Sequence, residues 1–179
     1  MSTLLVFGGT GLLGYSLIKV CQSTKFDEPA LFVGRKHCIG YRPQDSSVYR
    51  FNADSDEPLD LKNLNQTLEL FDTVKPTKVI HLAGMVGGVK SNTKYVGDFY
   101  RENILINNNV LEAARLYKVE LLISTLSSCI YPDNIPLLKE RYLHRGEPHP
   151  SNFGYAYAKR MLDVQSRAYN QQYGCDFRC

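Results

Sequence analysis

Leu4-Leu5-Val6-Phe7-Gly8-Gly9-Thr10-Gly11-Leu12-Leu13-Gly14 is a short apolar run that ends abruptly in glycines. The run is too short for a helix and has the continuous apolar character of a strand buried on both faces of a parallel sheet. Glycines at 8, 11 and 14 let a backbone approach a phosphate group without obstruction, and a helix starting there offers unpaired N–H groups to the anion. A structural glycine-rich turn is the bland alternative. The strand before and the helix after, expected from about Gly11 to Thr24, favour nucleotide binding, with Gly8, Gly9, Thr10, Gly11, Leu12, Leu13 and Gly14 as the loop.

Outward from this loop, strands and helices alternate. Ala30 to Val33 reads as a second strand ending near Gly34-Arg35-Lys36. The polar stretch from His37 to Pro58 carries a further strand at Val48 to Phe51 inside a long connection. Leu61, Leu64, Leu68 and Phe71 recur at three- and four-residue steps, which predicts an amphipathic helix over about Asp60 to Val74. Lys78 to Leu82 and Val119 to Leu126 are further buried strands. A glycine-rich loop (Gly84, Gly87, Gly88) leads into a long helix ending near Lys118, and a proline-bearing loop precedes a last helix from about Phe153 to Tyr173. Such alternation implies a doubly wound α/β fold built on a parallel Rossmann-type sheet.

Composition narrows the function classes. The 179 residues suit one domain, and a net charge of +3 without a Lys/Arg run argues against a nucleic-acid partner. No stretch reaches the roughly 20 apolar residues of a membrane span, and the amino terminus lacks the pattern of a secretory signal. The cysteines Cys21, Cys38, Cys129, Cys175 and Cys179 are odd in number and scattered, which fits free thiols in a reducing cytoplasm and no metal site.

Cofactor choice is read from the end of the second strand. NAD-preferring sites place an acid there to hold the ribose hydroxyls, whereas this chain has Arg35 and Lys36, two cations suited to a 2′-phosphate, so NADP(H) is expected. Tyr155 and Lys159 stand four residues apart and so share one helix face. An ordinary phenol, with a pKa of about 10, is a poor acid–base group at neutral pH, and a nearby ammonium is expected to stabilise its phenolate. Tyr157 is simple core packing. Ser127 and Ser128 lie past the carboxyl end of a strand, where this fold binds ligands; a serine there can hydrogen-bond a substrate oxygen, and a capping role is the alternative. Cys129 is either a buried small hydrophobe or, with its thiol tuned by local charge, a base.

Taken together, Val79-Ile80-His81-Leu82-Ala83-Gly84-Met85-Val86-Gly87-Gly88, Ser127-Ser128-Cys129-Ile130-Tyr131-Pro132, Ser151-Asn152-Phe153-Gly154-Tyr155-Ala156-Tyr157-Ala158-Lys159-Arg160-Met161 and Gln171-Gln172-Tyr173-Gly174 resemble the extended short-chain dehydrogenase/reductases, and within them the GDP-L-fucose synthase family. The resemblance implies an NADPH-dependent epimerase/reductase that inverts C3 and C5 of GDP-4-keto-6-deoxy-D-mannose and reduces its C4 ketone. It implies Tyr155 as proton donor to the C4 oxygen, Lys159 holding the nicotinamide ribose and tuning Tyr155, Ser127 bonding the C4 oxygen, and Cys129 as epimerisation base. Ala83 and Gly84 would touch the cofactor. Asn103 would brace the active-site helix; His81, inside an apolar strand, reads as structural; His144 and His149 read as solvent-exposed, with contact to substrate the alternative; and Asp98 has no role.

Family members continue well beyond this length. The expectation is therefore an NADP-binding domain over residues 1–179, incomplete at its carboxyl-terminal end, that lacks the last strands, the substrate domain and the family's second epimerisation residue, a histidine. Such a chain is expected to bind NADPH weakly and to turn over little substrate. It would act as a homodimer or in association with full-length subunits. The alternatives are a non-catalytic nucleotide-binding short form, and a sugar-nucleotide dehydratase or 4-epimerase of the same superfamily. Dehydratases of that group carry acids where this chain has Ser128-Cys129.

Overall fold

A computed structural model describes residues 3–51 and 58–179. Its sheet has seven strands: β1 (Leu4–Phe7), β2 (Ala30–Val33), β3 (Cys38–Arg42), β4 (Ser47–Phe51), β5 (Lys78–His81), β6 (Leu121–Ser124) and β7 (Phe177–Arg178), in the order β4-β3-β2-β1-β5-β6-β7. β2, β1, β5, β6 and β7 run parallel to one another. The helices are α1 (Leu12–Thr24), α2 (Leu64–Val74), α3 (Val89–Lys94), α4 (Val96–Leu116) and α5 (Phe153–Tyr173), with three single-turn 3-10 segments between β6 and α5.

Side-chain alternation on the strands sorts the core into two layers. On β1, Leu5 and Phe7 turn toward a cluster with Phe71 of α2, Val110, Leu111, Ala113 and Ala114 of α4, and Leu162 of α5. Leu4 and Val6 turn the other way, toward Ile18 and Cys21 of α1 and Phe32 and Ile39 of β2 and β3. All four β1 side chains are buried, which is what the continuous apolar run requires. The ring of Phe7, stacked on Phe71 at 5.8 Å, removes enough apolar surface to stabilise the fold by about 2–3 kcal/mol.

Two departures from the sequence expectation concern the edge and the long helix. The stretch after Lys36 forms an antiparallel hairpin, β3 and β4, on an otherwise parallel sheet. Of this pair only the second strand is expected from the sequence; Gly40 interrupts the apolar pattern of the first because the Tyr49 ring lies where a side chain would stand. The helix after the glycine-rich loop breaks at Tyr95 (φ −115°, ψ 44°) into α3 and α4. Predicted positions 52–57 of the long connection lie outside the described residues. α2 starts later than periodicity suggests, because the Asn63 side chain accepts the N–H groups of Asn65 and Gln66 and sets its first turn.

At the far edge, Phe177 and Arg178 begin a strand parallel to β6. Asn170 of α5 holds it, its carboxamide accepting from the Phe177 N–H at 2.9 Å and donating to the Phe177 carbonyl at 2.8 Å. Ile123, on the face of β6 away from α4 and α5, is 40% exposed. Among the described residues no helix is long and apolar enough to cross a membrane, and no cluster of His, Cys, Asp and Glu could hold a metal ion.

Candidate functional site

Because β1, β5 and β6 run parallel, the loops after them meet at one rim. The first loop is shaped by its own backbone. Gly8 has φ +74°, and a Cβ there would come within 2.8 Å of the Ala83 nitrogen, so the β1 and β5 loops touch only because position 8 has no side chain. A Cβ at Gly14 would lie 2.2 Å from the Gly9 oxygen, so α1 rests directly on the loop. Gly11 caps α1 without any side-chain hydrogen bond, which leaves the first-turn N–H groups free to meet an anion. Leu12 and Leu13 are exposed beside it, and Thr10 lies against Gly34 at the end of β2. Arg35 and Lys36 follow directly, both exposed. Unpaired backbone N–H groups and two exposed cations thus lie at one end of the sheet.

The second loop, Leu82 to Gly88, is held by Asn103 of α4. Asn103 Oδ1 accepts the Met85 N–H at 3.0 Å, and Nδ2 donates to the carbonyls of Met85 and Phe99. Gly84 lies against Asn103 Oδ1 and the Lys159 amine, with Ala83 beside it. The brace expected from Asn103 on α5 comes instead from Asn107, one turn later. Asn107 Nδ2 donates to the Ala158 carbonyl at 3.1 Å, while its Oδ1 stands 3.0 Å from His81 Nε2. With Oδ1 as acceptor, His81 must carry its proton on Nε2, and Nδ1 is left buried without a partner. Burial, helped by the charge of Lys159, pushes the His81 pKa down to about 3, so this ring stays neutral. His81 is therefore a structural link from β5 through α4 to the residue before Lys159.

The third loop and α5 form the reactive corner. Ser127 accepts the Cys129 N–H at 3.3 Å and caps the 3-10 turn Ser128–Ile130. Ser127 and Cys129 are half-buried and Ser128 is exposed. Tyr155, its ring edge-on to Phe99 at 6.4 Å, brings its phenol to this corner, where Ser127 and Cys129 are both close enough to influence its charge. Sequence reasoning expects Lys159 to pull this phenol down; the structure shows the reverse. Burial pushes Tyr155 up, and only Ser127 pulls it partly back. The Lys159 amine is turned below, donating to the Thr125 carbonyl at 3.1 Å, and its own burial lowers its pKa to about 8. A phenol held above its ordinary range stays protonated at neutral pH, which suits it to give a proton to a carbonyl oxygen.

The remaining histidines lie aside from the corner. His144 pairs with Asp163 at 2.7 Å on the surface, and His149 caps the turn before α5 through Ser151. Asp98 occupies the first turn of α4, where a negative charge favours the helix dipole. The residues that sequence reasoning misses are Asn107 and Arg160. Asn107 follows Asn103 by four positions on the face of α4 that carries Phe99, Ile106 and Val110, and polar residues on an apolar face are the signal that could have found it.

Comparison with known proteins bears on the family and the fold. Residues 4–179 match the model of the NAD dependent epimerase/dehydratase family. The chain is 44% identical over 176 residues to a GDP-L-fucose synthase of Dictyostelium discoideum, an alignment covering 98% of the chain and 49% of that relative. It is 43% identical to a probable GDP-L-fucose synthase of Drosophila melanogaster, over 97% of the chain and 48% of the relative. A crystal structure of a GDP-L-fucose synthetase from Naegleria fowleri bound to NADP superposes with a TM-score of 0.79 at 34% identity, over 98% of the chain and 51% of that protein. The chain thus spans about half the length of the relatives it matches.

Proposed function

The chain belongs to the NAD dependent epimerase/dehydratase family, and from that premise we propose that it carries the NADP(H)-binding and proton-transfer half of an enzyme that epimerises C3 and C5 of GDP-4-keto-6-deoxy-D-mannose and reduces C4 to give GDP-L-fucose. The observation that carries the proposal is the corner itself: phenol, serine hydroxyl and thiol converge, with a buried amine beneath them.

Gly8 to Gly14 and the start of α1 would hold the pyrophosphate, Arg35 and Lys36 the 2′-phosphate, and Ala83 and Gly84 the nicotinamide side. When bound, NADPH supplies the hydride for C4. The chain's own groups handle protons. In epimerisation Cys129 as base takes a proton from the carbon beside the ketone; the C–H pair moves into an enolate and S–H forms, and inversion is completed when an acid on the opposite ring face, a role assigned to none of the described residues, gives its proton to that carbon. Ser127 donates to the C4 oxygen and steadies the charge gathering there. In reduction Tyr155 delivers its proton to that oxygen as C4 gains hydride, and Ser127 holds the oxygen in line. Lys159, adjacent to Gly84, orients the nicotinamide ribose.

Isothermal titration with NADPH, together with chromatography of the product formed from GDP-4-keto-6-deoxy-D-mannose, tests the proposal. Binding with appearance of GDP-L-fucose supports it. Binding with no product in the presence of excess chain would favour a nucleotide-binding module instead, and absence of binding would reject the cofactor site.

A further inference from the structure

Arg160 is 3% exposed, one residue after Lys159 on α5. A guanidinium removed from water to that degree is normally matched by a carboxylate. Here its Nε donates to the Ile130 carbonyl at 2.5 Å, its plane lies 5.2 Å from the Tyr157 ring centre, and its Nη2 is buried with no hydrogen-bond partner. Charge and an unsatisfied donor are costly to keep in such a place, which calls for a reason.

The geometry supplies one. Ile130, 1% exposed, closes the single 3-10 turn that contains Cys129, and Ser127 opens it. Consecutive cations of α5 thus grip two carbonyls that bracket the reactive corner: Lys159 holds Thr125 on one side and Arg160 holds Ile130 on the other. A charged donor makes the stronger hydrogen bond, and a three-residue turn has little internal stability of its own. We propose that Arg160 is the positioning residue for the Cys129 thiol, locking the turn to the helix that carries Tyr155 so that base and acid face one substrate from fixed places. The proposal rests on reading Cys129 as the epimerisation base.

The test compares the parent chain with Arg160→Met, Arg160→Lys and Cys129→Ser. Iodoacetamide alkylation of Cys129, followed by mass spectrometry of its peptide, reports how firmly the turn is held. Deuterium wash-in at C3 and C5 of GDP-4-keto-6-deoxy-D-mannose, with chain in excess in heavy water, reports base function. In Arg160→Met the turn loosens: alkylation rises at least about threefold and wash-in falls roughly tenfold or more, as expected for a misplaced catalytic group. Arg160→Lys, which still reaches the Ile130 oxygen, stays within about twofold of the parent in both. If Arg160→Met unfolds the chain, Arg160→Asn, whose amide nitrogen falls one methylene short of the Nε position that bonds that oxygen, takes its place with the same expected rise. Parent-like alkylation and wash-in in Arg160→Met or its substitute overturn the proposal. Wash-in that survives Cys129→Ser, or is absent from the parent while alkylation still responds to Arg160, rejects the reading of the base and leaves the positioning role standing.

Discussion

The glycine loop and the reactive corner sit on the same rim yet are built by opposite means. Around Gly8 to Gly14 the shape is made by absent side chains: the β5 loop, the Gly9 carbonyl and the start of α1 close in on positions where a Cβ would collide. Around Ser127 to Ile130 the shape is made by long side chains reaching from elsewhere: Lys159 across 34 residues, Arg160 across 30, and Asn107 across 51 to Ala158. The first kind of site has no room for a side chain at Gly8, Gly9 or Gly14. The second is assembled by the tertiary fold and fails by deletion.

Substitutions sharpen this contrast. Tyr155→Phe is expected to have the largest effect, cutting C4 reduction by about 10²–10⁴-fold in a product assay while leaving NADPH affinity within about threefold, the signature of a lost proton donor. Asn107→Ala, which strips the partners from His81 and the Ala158 carbonyl, should lower the unfolding free energy by about 3 kcal/mol in urea titrations. Gly14→Ala should cost roughly 2–3 kcal/mol by forcing α1 off the loop, and should weaken NADPH binding.

Lys159 gives a pH test. Its folded pKa of about 8 lies below its ordinary value of 10.5. Between these values the folded chain binds fewer protons than the unfolded chain, so the Lys159 penalty is full below pH 8 and fades as pH rises toward 10.5. Comparing urea midpoints of the parent and Lys159→Met from pH 7 to 10.5 cancels the opposing buried thiols, and the parent should gain about 3 kcal/mol on the variant. The smallest change is expected from Gly11→Ala, whose methyl meets only the Gly8 oxygen at 3.2 Å; a loss above about 1 kcal/mol there would break the division between crowded and open glycines.

The same contrast explains what could be read in advance. β1, β2, β5, α1 and α5 follow from runs of apolar residues and glycine spacing, because their determinants are neighbours in sequence. The strand β3 was missed because Gly40 is occupied, in effect, by the Tyr49 ring from the next strand. Tyr155, Ser127 and Cys129 are legible as a constellation, yet the direction of the Tyr155 shift is not: it depends on Lys159 turning to the Thr125 carbonyl, a tertiary choice that spacing on a helix does not determine. Asn103 and Asn107 differ by a single turn, and only packing decides that the first serves a loop and the second a helix.

Asn170 shows how one side chain can set the register of a strand. A carboxamide sets an N–H donor beside a carbonyl acceptor in nearly the arrangement of a peptide unit, so the side chain serves β7 as a surrogate backbone on the flank opposite Leu122. A two-residue strand on an edge would otherwise be free to slip by one position and turn Phe177 outward. With donor and acceptor both matched across seven residues, the alignment is fixed by a contact close in sequence, and such contacts form early in folding.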